Sequence, residues 1–326
     1  MKAIICAGPS QPEDLKLVER SRPPVAAGQV GIDVYAAGVN FGDALIIQSL
    51  RPGNPATEHT PGYEVSGVIG EVGAGVSGFA VGDRVVAFCG TGGYAEAVTV
   101  DARFVYPMPA PLDFAAAAGF LAVYGTAYHA LHERARLQPG ETLLVLGAAG
   151  GAGLAAVEVG RAMGAHVIAA ASTEAKRALC QERGAHDLMD YSQDGLAARL
   201  RQFTGQKGVN VVYDPVGGDQ ANELISAMAP EGRYLVIGFA SGSVPQIPAH
   251  ILLSKEVAAI GVYWGQSLAA NPARNKINIS VLFNWYLAGK IHPLVSEKYP
   301  LKDAGLAMRR LLARQAQGKI VLTINH

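Results

Sequence analysis

The sequence has few cysteines and no excess of either charge. Cys6, Cys89 and Cys180 are widely spaced and odd in number, which excludes a disulfide framework or a paired-cysteine metal site and favours reduced thiols in the cytoplasm. Lysine and arginine together number 27, as do aspartate and glutamate, so no excess of basic residues favours nucleic acid or an anionic membrane. The amino terminus lacks a long apolar run and a cleavage site, and we therefore predict neither secretion nor membrane insertion.

What the sequence does contain is apolar residues and glycine. Half of the 326 residues are hydrophobic and 39 are glycine, a composition that suits an α/β enzyme of two domains with a sizeable core. Residues 2–120 form many short apolar runs separated by glycine and proline, which predicts an all-β, barrel-like module. From Thr142 onward apolar strands and helix-like segments alternate, and this pattern predicts a doubly wound parallel sheet.

The most informative stretch is Thr142–Ser172. A short apolar strand, Thr142–Leu146, runs into a glycine-rich turn at 147–153, then a helical pattern, then a second strand, His166–Ala171. Ala148, Gly150 and Gly153 occupy the three positions of the glycine fingerprint in which a helix amino terminus holds a pyrophosphate. A flexible loop is the alternative interpretation, but the flanking strands and helix favour a dinucleotide site.

The end of the second strand predicts which dinucleotide binds. Enzymes for the non-phosphorylated cofactor usually place an acidic residue there, on the ribose hydroxyls, whereas this chain has Ala171, Ser172 and Thr173. A hydroxyl with the nearby cations of Lys176 and Arg177 suits a 2′-phosphate instead. The alternative is that both cations belong to a solvated helix face.

Further strands and helices are predicted along the rest of the chain. They are helix Glu174–Arg183, strand Leu188–Asp190, helix Leu196–Phe203, strand Val209–Tyr213, helix Asp219–Met228, strands Tyr234–Ile237 and Val257–Val262, helices Lys276–Ala288 and Leu301–Ala313, and strand Ile320–Ile324. The last three lack glycine turns of the earlier kind, so we expect the tail to return to the β module.

Several motifs together resemble the zinc-free, zeta-crystallin-like quinone oxidoreductases of the medium-chain dehydrogenase/reductase superfamily. The motifs cover nearly the whole chain and are Gly38–Asp43, Pro61–Gly67, Val81–Val85, Gly125–Tyr128, Gly147–Gly153, Val212–Gly218, Val236–Phe239 and Gly318–Leu322. The resemblance implies a β-rich, GroES-like catalytic domain, 1–122 and 265–326, and a Rossmann-type NADPH-binding domain, 123–264.

The resemblance also implies which residues hold NADPH. Gly150, Gly151, Ala152 and Gly153 would bind the pyrophosphate, and Ser172, Lys176 and Tyr191 the 2′-phosphate. The residues expected near the nicotinamide half are Asn40, Thr126, Gly238, Phe239, Ala240 and Trp264.

No metal is expected. In the zinc-dependent relatives the positions of Asn40 and Tyr63 carry a cysteine and a histidine ligand, and a catalytic zinc needs three side-chain ligands. His129 and His132 are the nearest pair of histidines in the sequence, and surface or packed histidine is the ordinary interpretation of such a pair.

Without a metal, hydride must go to an acceptor that is already electron-poor, which predicts a small, planar electrophile such as a quinone. Asn40, Arg51 and Tyr63 are the candidate catalytic residues. Asn40 would orient the acceptor or the nicotinamide, although a plain turn residue is the alternative. Relatives often carry tyrosine where this chain has Leu45 and Arg51. Arg51 would instead offer a cation to the acceptor, although a solvated arginine is the alternative. Tyr63 would offer a phenol, although simple packing in the β core is the alternative.

Two other functions stay open. One is reduction of an α,β-unsaturated carbonyl or enoyl thioester, and the other is a non-catalytic NADPH-binding protein of the crystallin or RNA-binding kind, although the neutral charge weighs against RNA. We also expect a homodimer, by resemblance, that pairs edge strands near Val257–Val262.

Overall fold

The computed structural model describes residues 1–48, 58–193 and 195–324. The chain divides into two compact units, the first made of residues 1–122, 265–283 and 293–326 and the second of 123–264 and 284–292. The sequence had placed all of 265–326 with the β module, whereas 284–292 group with the second unit.

The amino-terminal part of the chain is mainly extended, as the glycine and proline punctuation predicts. Its elements are β1 Lys2–Ile5, β2 Lys16–Glu19, β3 Gln29–Val39, α1 Phe41–Ile47, β4 Glu64–Val72, β5 Arg84–Phe88, β6 Ala97–Asp101, β7 Val105–Pro107, α2 Phe114–Ala118 and α3 Leu121–Tyr128. A π-helix, His129–Arg134, follows α3 directly.

Strands and helices alternate in the next part of the chain. Its elements are β8 Thr142–Leu146, α4 Gly151–Ala162, β9 His166–Ala170, α5 Glu174–Glu182, β10 Asp187–Met189, α6 Leu196–Phe203, β11 Val209–Asp214, α7 Ala221–Ser226, β12 Met228–Val236, α8 Ala249–Lys255 and β13 Ala258–Gly261. The tail then adds α9 Trp264–Ala270, α10 Pro272–Leu287, β14 Val295–Pro300, α11 Ala304–Leu312 and β15 Lys319–Thr323.

The main sheet of the first unit is built around the long strand β3. Among the described residues its order is β14-β15-β3-β4-β5-β7, with β6 also pairing β3. β15 runs antiparallel to β3, with Ile320 opposite Val39, so the tail does return to the β module as predicted. Val34, Ile69 and Val85 are fully buried in its core, and the burial of such side chains provides the main favourable free energy of folding.

The second unit is the predicted doubly wound sheet. All strand pairs in the order β10-β9-β8-β11-β12-β13 are parallel. The chain runs outward from β8 to β10 and then restarts at β11 toward β13, so the strand order reverses between β8 and β11. In open parallel sheets ligands bind beyond the carboxyl ends of the strands at such a switch point.

Some element boundaries differ from the sequence predictions. The helix expected over Asp219–Met228 is shorter, because Met228 already begins β12 and lies opposite Val209 of β11. The strand β14, Val295–Pro300, was missed, because its sequence VSEKYP contains two charged residues and a proline. β14 forms through pairing with β15, which is a tertiary effect that local propensity does not capture.

Candidate active site

Asn40 is the N-cap of α1 in the first unit, directly after β3, and its amide is held by two charged side chains. The amide nitrogen Nδ2 donates to Glu64 Oε1 at 3.0 Å, and the amide oxygen Oδ1 accepts from Lys319 Nζ at 2.6 Å. The side chain is buried, with 9% of the residue exposed. These bonds fix which end of the amide points toward each partner, so Asn40 has one defined orientation.

Glu64 and Lys319 form a buried ion pair beneath Asn40. Lys319 Nζ lies 3.1 Å from Glu64 Oε1, and it also donates to the Val39 carbonyl at 3.1 Å. The second carboxylate oxygen of Glu64 accepts from the backbone N–H of Ala122 at 2.8 Å. The ammonium and both carboxylate oxygens therefore have hydrogen-bond partners, which offsets the cost of burying the two charges.

Glycine is required at position 38 because the carboxylate of the same ion pair lies against its backbone. A β carbon at this position would lie 2.4 Å from Glu64 Oε1 and 2.3 Å from the carbonyl of Ala118. The glycine of β3 therefore makes room for the carboxylate, and this gives a physical reason for the first glycine of the Gly38–Asp43 motif.

Asp43 is fully buried and lies on the other side of Asn40. Its Oδ2 accepts from the Asn40 backbone N–H at 2.9 Å and from the Tyr94 hydroxyl at 3.1 Å, while Oδ1 has no hydrogen-bond partner within the described part of the chain. Burial raises the pKa of Asp43 to about 7, although the Asn40 N–H and the charge of Lys319 act in the opposite direction. The carboxyl group thus titrates near neutral pH and orients the start of α1.

Tyr63 lies against the same turn. Its residue is 8% exposed, and a β carbon on Gly42 would be 2.5 Å from the Tyr63 hydroxyl oxygen. The phenol therefore contacts the backbone between Asn40 and Asp43. The third candidate, Arg51, lies outside the described residues.

The described residues contain no group of three or more histidine, cysteine, aspartate or glutamate side chains that could hold a metal ion. His129 contacts Glu133 through Nδ1 at 2.5 Å, and His132 stacks on the ring of Tyr128 at 4.8 Å. These two histidines are thus engaged with different neighbours.

The glycine turn of the second unit has the geometry of a phosphate-binding loop. Gly147 adopts a left-handed conformation with φ +55°, so the tight-turn role belongs to Gly147 and not to Ala148, the first residue of the predicted fingerprint. A β carbon on Gly153 would lie 2.3 Å from the Gly147 carbonyl oxygen. Gly153 therefore allows α4 to pack closely against the end of β8.

At position 150, neither the backbone conformation nor the packing requires glycine. Gly150 precedes the twelve-residue helix α4 with φ −77°, a conformation open to any residue, and the nearest atom to an added β carbon is 3.4 Å away. A glycine that neither backbone conformation nor packing requires leaves space for a ligand at the helix amino terminus. The loop thus fits a dinucleotide pyrophosphate.

The three residues predicted to surround a 2′-phosphate lie at one edge of the same unit. Met189, which ends β10, pairs with Ala170, which ends β9, so Tyr191 and Ser172 each follow that last pair by two residues. Lys176 lies in the first turn of α5, where its backbone N–H donates to Thr173 Oγ1 at 3.3 Å. Thr173 is thus the N-cap that starts α5 directly after the strand.

Of the residues predicted near the nicotinamide, Asn40 lies in the first unit, and the others lie in the second, namely Thr126, Gly238, Phe239, Ala240 and Trp264. The Asp214 carboxylate accepts the backbone N–H groups of Val216 and Gly217 at 2.7 and 2.8 Å and the hydroxyl of Tyr234. The Gly238 N–H donates to the Asp214 carbonyl at 3.3 Å. Asp214 therefore forms hydrogen bonds both with the turn that follows β11 and with the turn that follows β12.

Gly125, which precedes Thr126, packs against Trp264 in that unit as well. A β carbon on Gly125 would lie 2.6 Å from the indole of Trp264, and Trp264 is 4% exposed. Phe239 comes within 3.1 Å of the equivalent position on Gly217. Each of these glycines therefore accommodates an aromatic ring.

Sequence reasoning did not single out Glu64, Lys319 or Asp214 as functional residues. Each was quoted within a motif, but none was given a role. The available signal was a charged residue within an apolar strand, because such a residue needs a buried partner.

Comparison with known proteins agrees with this description. The family models that match are the alcohol dehydrogenase GroES-like domain over residues 26–110 and the zinc-binding dehydrogenase domain over 151–277. Quinone oxidoreductase-like protein 2 of Rattus norvegicus is 36% identical over 99% of this chain and 92% of its own length.

Two solved structures are similar over nearly their whole length. The Escherichia coli quinone oxidoreductase complexed with NADPH is 30% identical, with a TM-score of 0.93 over 99% of this chain and 100% of that one. The CurK enoyl reductase is 25% identical, with a TM-score of 0.91 over 99% of both chains. The chain belongs to the quinone oxidoreductase family of the medium-chain dehydrogenase/reductase superfamily, and it is an oxidoreductase.

Proposed function

We propose that this protein is an NADPH-dependent, zinc-independent reductase of quinones. The observation that carries the proposal is Gly150, where an added β carbon would meet no atom closer than 3.4 Å, so that the start of α4 has space for a pyrophosphate. The NADPH complex of the Escherichia coli relative supports the same cofactor for this chain.

The residues proposed to hold NADPH are those predicted from the sequence. The N–H groups of Gly150, Gly151, Ala152 and Gly153 bind the pyrophosphate, and Ser172, Lys176 and Tyr191 bind the 2′-phosphate. The residues that approach the nicotinamide half are Asn40, Thr126, Gly238, Phe239, Ala240 and Trp264. When bound, NADPH supplies the hydride. The chain binds and orients the reactants and excludes water from them.

Reduction of a quinone requires one hydride and one proton and yields the hydroquinone and NADP⁺. We propose that Asn40 orients the acceptor or the nicotinamide, since Glu64 and Lys319 fix its amide. The proton comes from water, because the hydroquinone anion left by hydride transfer accepts a proton from solvent without a dedicated donor. Arg51 stays a candidate partner of the acceptor oxygen.

The zinc-independent part of the proposal rests on side-chain chemistry. Asn40 and Tyr63 stand where the zinc-dependent relatives carry ligands, by the resemblance described above, and an amide and a phenol are not the thiolate and imidazole groups that bind zinc in such sites. Elemental analysis of the purified protein is expected to find less than stoichiometric zinc, with activity retained in chelator. One zinc per chain and loss of activity on chelation would contradict this.

A second candidate is reduction of an enone or enoyl thioester, which the similarity to the CurK enoyl reductase favours. There the hydride adds to the β carbon and a proton must reach the α carbon. The buried Tyr63 phenol beside Gly42 is the candidate donor.

The test is oxidation of NADPH, followed by its absorbance, with a panel of quinones, enones and an enoyl thioester. Turnover with quinones alone supports the proposal, and turnover with enones or the thioester alone supports the second candidate. Tight NADPH binding without any turnover would replace both with a non-catalytic binding protein.

We further propose that the protein is a homodimer joined through β13. This strand is at one end of the described sheet order, with Ala258 and Ala259 exposed. Leu253 in α8 is 81% exposed and Tyr263 is 55% exposed. An unpaired apolar strand edge favours pairing with a second copy.

A further inference from the structure

An acidic residue lies at the edge of the sheet where the 2′-phosphate is proposed to bind. The Ala171 N–H donates to the Met189 carbonyl at 3.0 Å, so β9 and β10 stay adjacent past their last paired residues. Continuing their register brings Asp190 beside Ala171. The end of β9 itself has no acidic residue, and this carboxylate comes from the residue that follows β10.

Asp190 is held in its charged form. Its Oδ1 accepts from the Ser192 hydroxyl at 2.6 Å and from the Ser192 backbone N–H at 3.0 Å. These hydrogen bonds, together with the charge of Arg177, lower the pKa of Asp190. A carboxylate in this place would repel the 2′-phosphate of NADPH, for the same reason that an acidic residue at the end of β9 selects against it.

Arg177 joins the two strand ends and offsets this charge. Its Nη1 donates to the Ala171 carbonyl at 3.0 Å and lies 3.2 Å from Asp190 Oδ2. The Arg177 side chain is 22% exposed and that of Asp190 19%, so solvent screens the pair only in part. The guanidinium therefore contacts the backbone just before Ser172 and the carboxylate just before Tyr191.

We propose that Arg177 is a specificity-determining residue, which neutralises Asp190 and so allows this edge of the sheet to accept a 2′-phosphate. The inference rests on the proposed NADPH site. The two adjacent cations of α5 then have different tasks, since Lys176 is the one proposed to bind the phosphate and Arg177 balances the carboxylate. Arg177 acts through Asp190 and does not itself bind the cofactor.

A double-mutant cycle tests this assignment. The Kd values of NADPH and NADH are measured by fluorescence titration for the wild type, Arg177→Met, Asp190→Asn and the double variant. Arg177→Met should lower the preference for NADPH over NADH by about tenfold, the size of one uncompensated charge near a surface. Adding Asp190→Asn should restore most of that preference, because the repelling carboxylate is then gone.

Each other outcome contradicts the proposal in a recognisable way. A preference that stays low in the double variant would mean that Arg177 binds the phosphate directly, and equal losses for both cofactors would mean a purely structural role. Should Arg177→Met not fold, Asp190→Asn alone decides, since it should keep or raise the preference for NADPH and a fall would overturn the inference.

Two controls complete the design. Arg201→Met removes a cation of the same unit whose Nη2 binds the Ser226 carbonyl, and it should leave the preference unchanged. Lys176→Ala tests the 2′-phosphate site itself. If Lys176→Ala weakens both cofactors equally, the site assignment fails, whereas a failure confined to the Arg177 cycle leaves that assignment standing.

Discussion

At the scale of single residues, Asn40 and Tyr63 are expected to have different roles, because Asn40 orients the reactants and Tyr63 is the candidate proton donor. Asn40→Ala should lower kcat/KM strongly, because the group that orients the reactants is lost, while Tyr63→Phe should cost at most about 1–2 kcal/mol in activation free energy. Steady-state kinetics with a quinone, alongside NADPH binding, measure both. Near-complete loss of activity in Tyr63→Phe with NADPH affinity intact would make Tyr63 the general acid and favour enones.

Lys319 should matter for stability well beyond an ordinary lysine. Lys319→Met leaves the fully buried carboxylate of Glu64 without its cation, and breaking such a pair costs about 3–5 kcal/mol of unfolding free energy. Urea denaturation measures the loss, and Glu64→Gln added to Lys319→Met should recover part of it. Arg309→Met, which breaks the exposed pair with Glu13, is the control and should cost at most about 1 kcal/mol.

Asp43 should make stability depend on pH near neutrality. Burial raises its pKa to about 7, so the folded chain binds this proton more tightly than the unfolded chain does. The contribution to the unfolding free energy is therefore present at low pH and is lost as pH rises toward and through 7, by at most about 1.4 kcal/mol per pH unit.

The variant Asp43→Asn removes this titration. Between about pH 5 and pH 8 the wild type should lose more unfolding free energy than Asp43→Asn does, as measured by urea denaturation at each pH. Parallel pH profiles for the two proteins would show that Asp43 does not titrate in this range.

At the scale of elements, the turn between β8 and α4 contains two glycines with opposite expected behaviour. Gly150→Ala places its β carbon in the space proposed for the pyrophosphate, so NADPH affinity should fall at least about tenfold while the melting temperature barely changes. Gly153→Ala should lower the melting temperature, because its β carbon would meet the Gly147 carbonyl at 2.3 Å. Unchanged NADPH affinity in Gly150→Ala would argue against the proposed loop.

The local pattern predicted this turn because all its parts lie within one short stretch. Strand, glycine turn and helix follow each other directly, and the strand–helix–strand order of Thr142–Ala170 is confirmed. The same local reasoning gave the wrong end for the helix at Asp219–Met228 and missed β14. In both places pairing with a strand distant in the sequence overrides local propensity.

At the scale of the whole molecule, the edge strand β13 predicts the oligomeric state. Ala259→Lys places a charge on the proposed dimer edge and should shift the protein from dimer to monomer at micromolar concentration, as measured by sedimentation. Val81→Lys is the matched control, since Val81 is 67% exposed in the other unit, and it should leave the dimer intact. A wild type that sediments as a monomer would contradict the proposed dimer.

The sequence by itself determined those features of this protein that are set by residues adjacent along the chain. The glycine turn and its flanking strands predicted the parallel cofactor unit, the punctuated strands predicted the β module, and the series of motifs identified the family. Each of these signals is periodic or local, so it survives in the order of the residues.

Only the tertiary structure decided which polar groups meet. Asn40 and Glu64 are 24 residues apart and Asn40 and Lys319 are 279 apart, yet they form one buried cluster because β3, β4 and β15 are adjacent in the sheet. Asp190 meets Arg177 in the same way, through the pairing of β9 and β10. Hydrogen bonds and ion pairs act over a few ångströms in space, and spacing along the chain does not specify which charges will come that close.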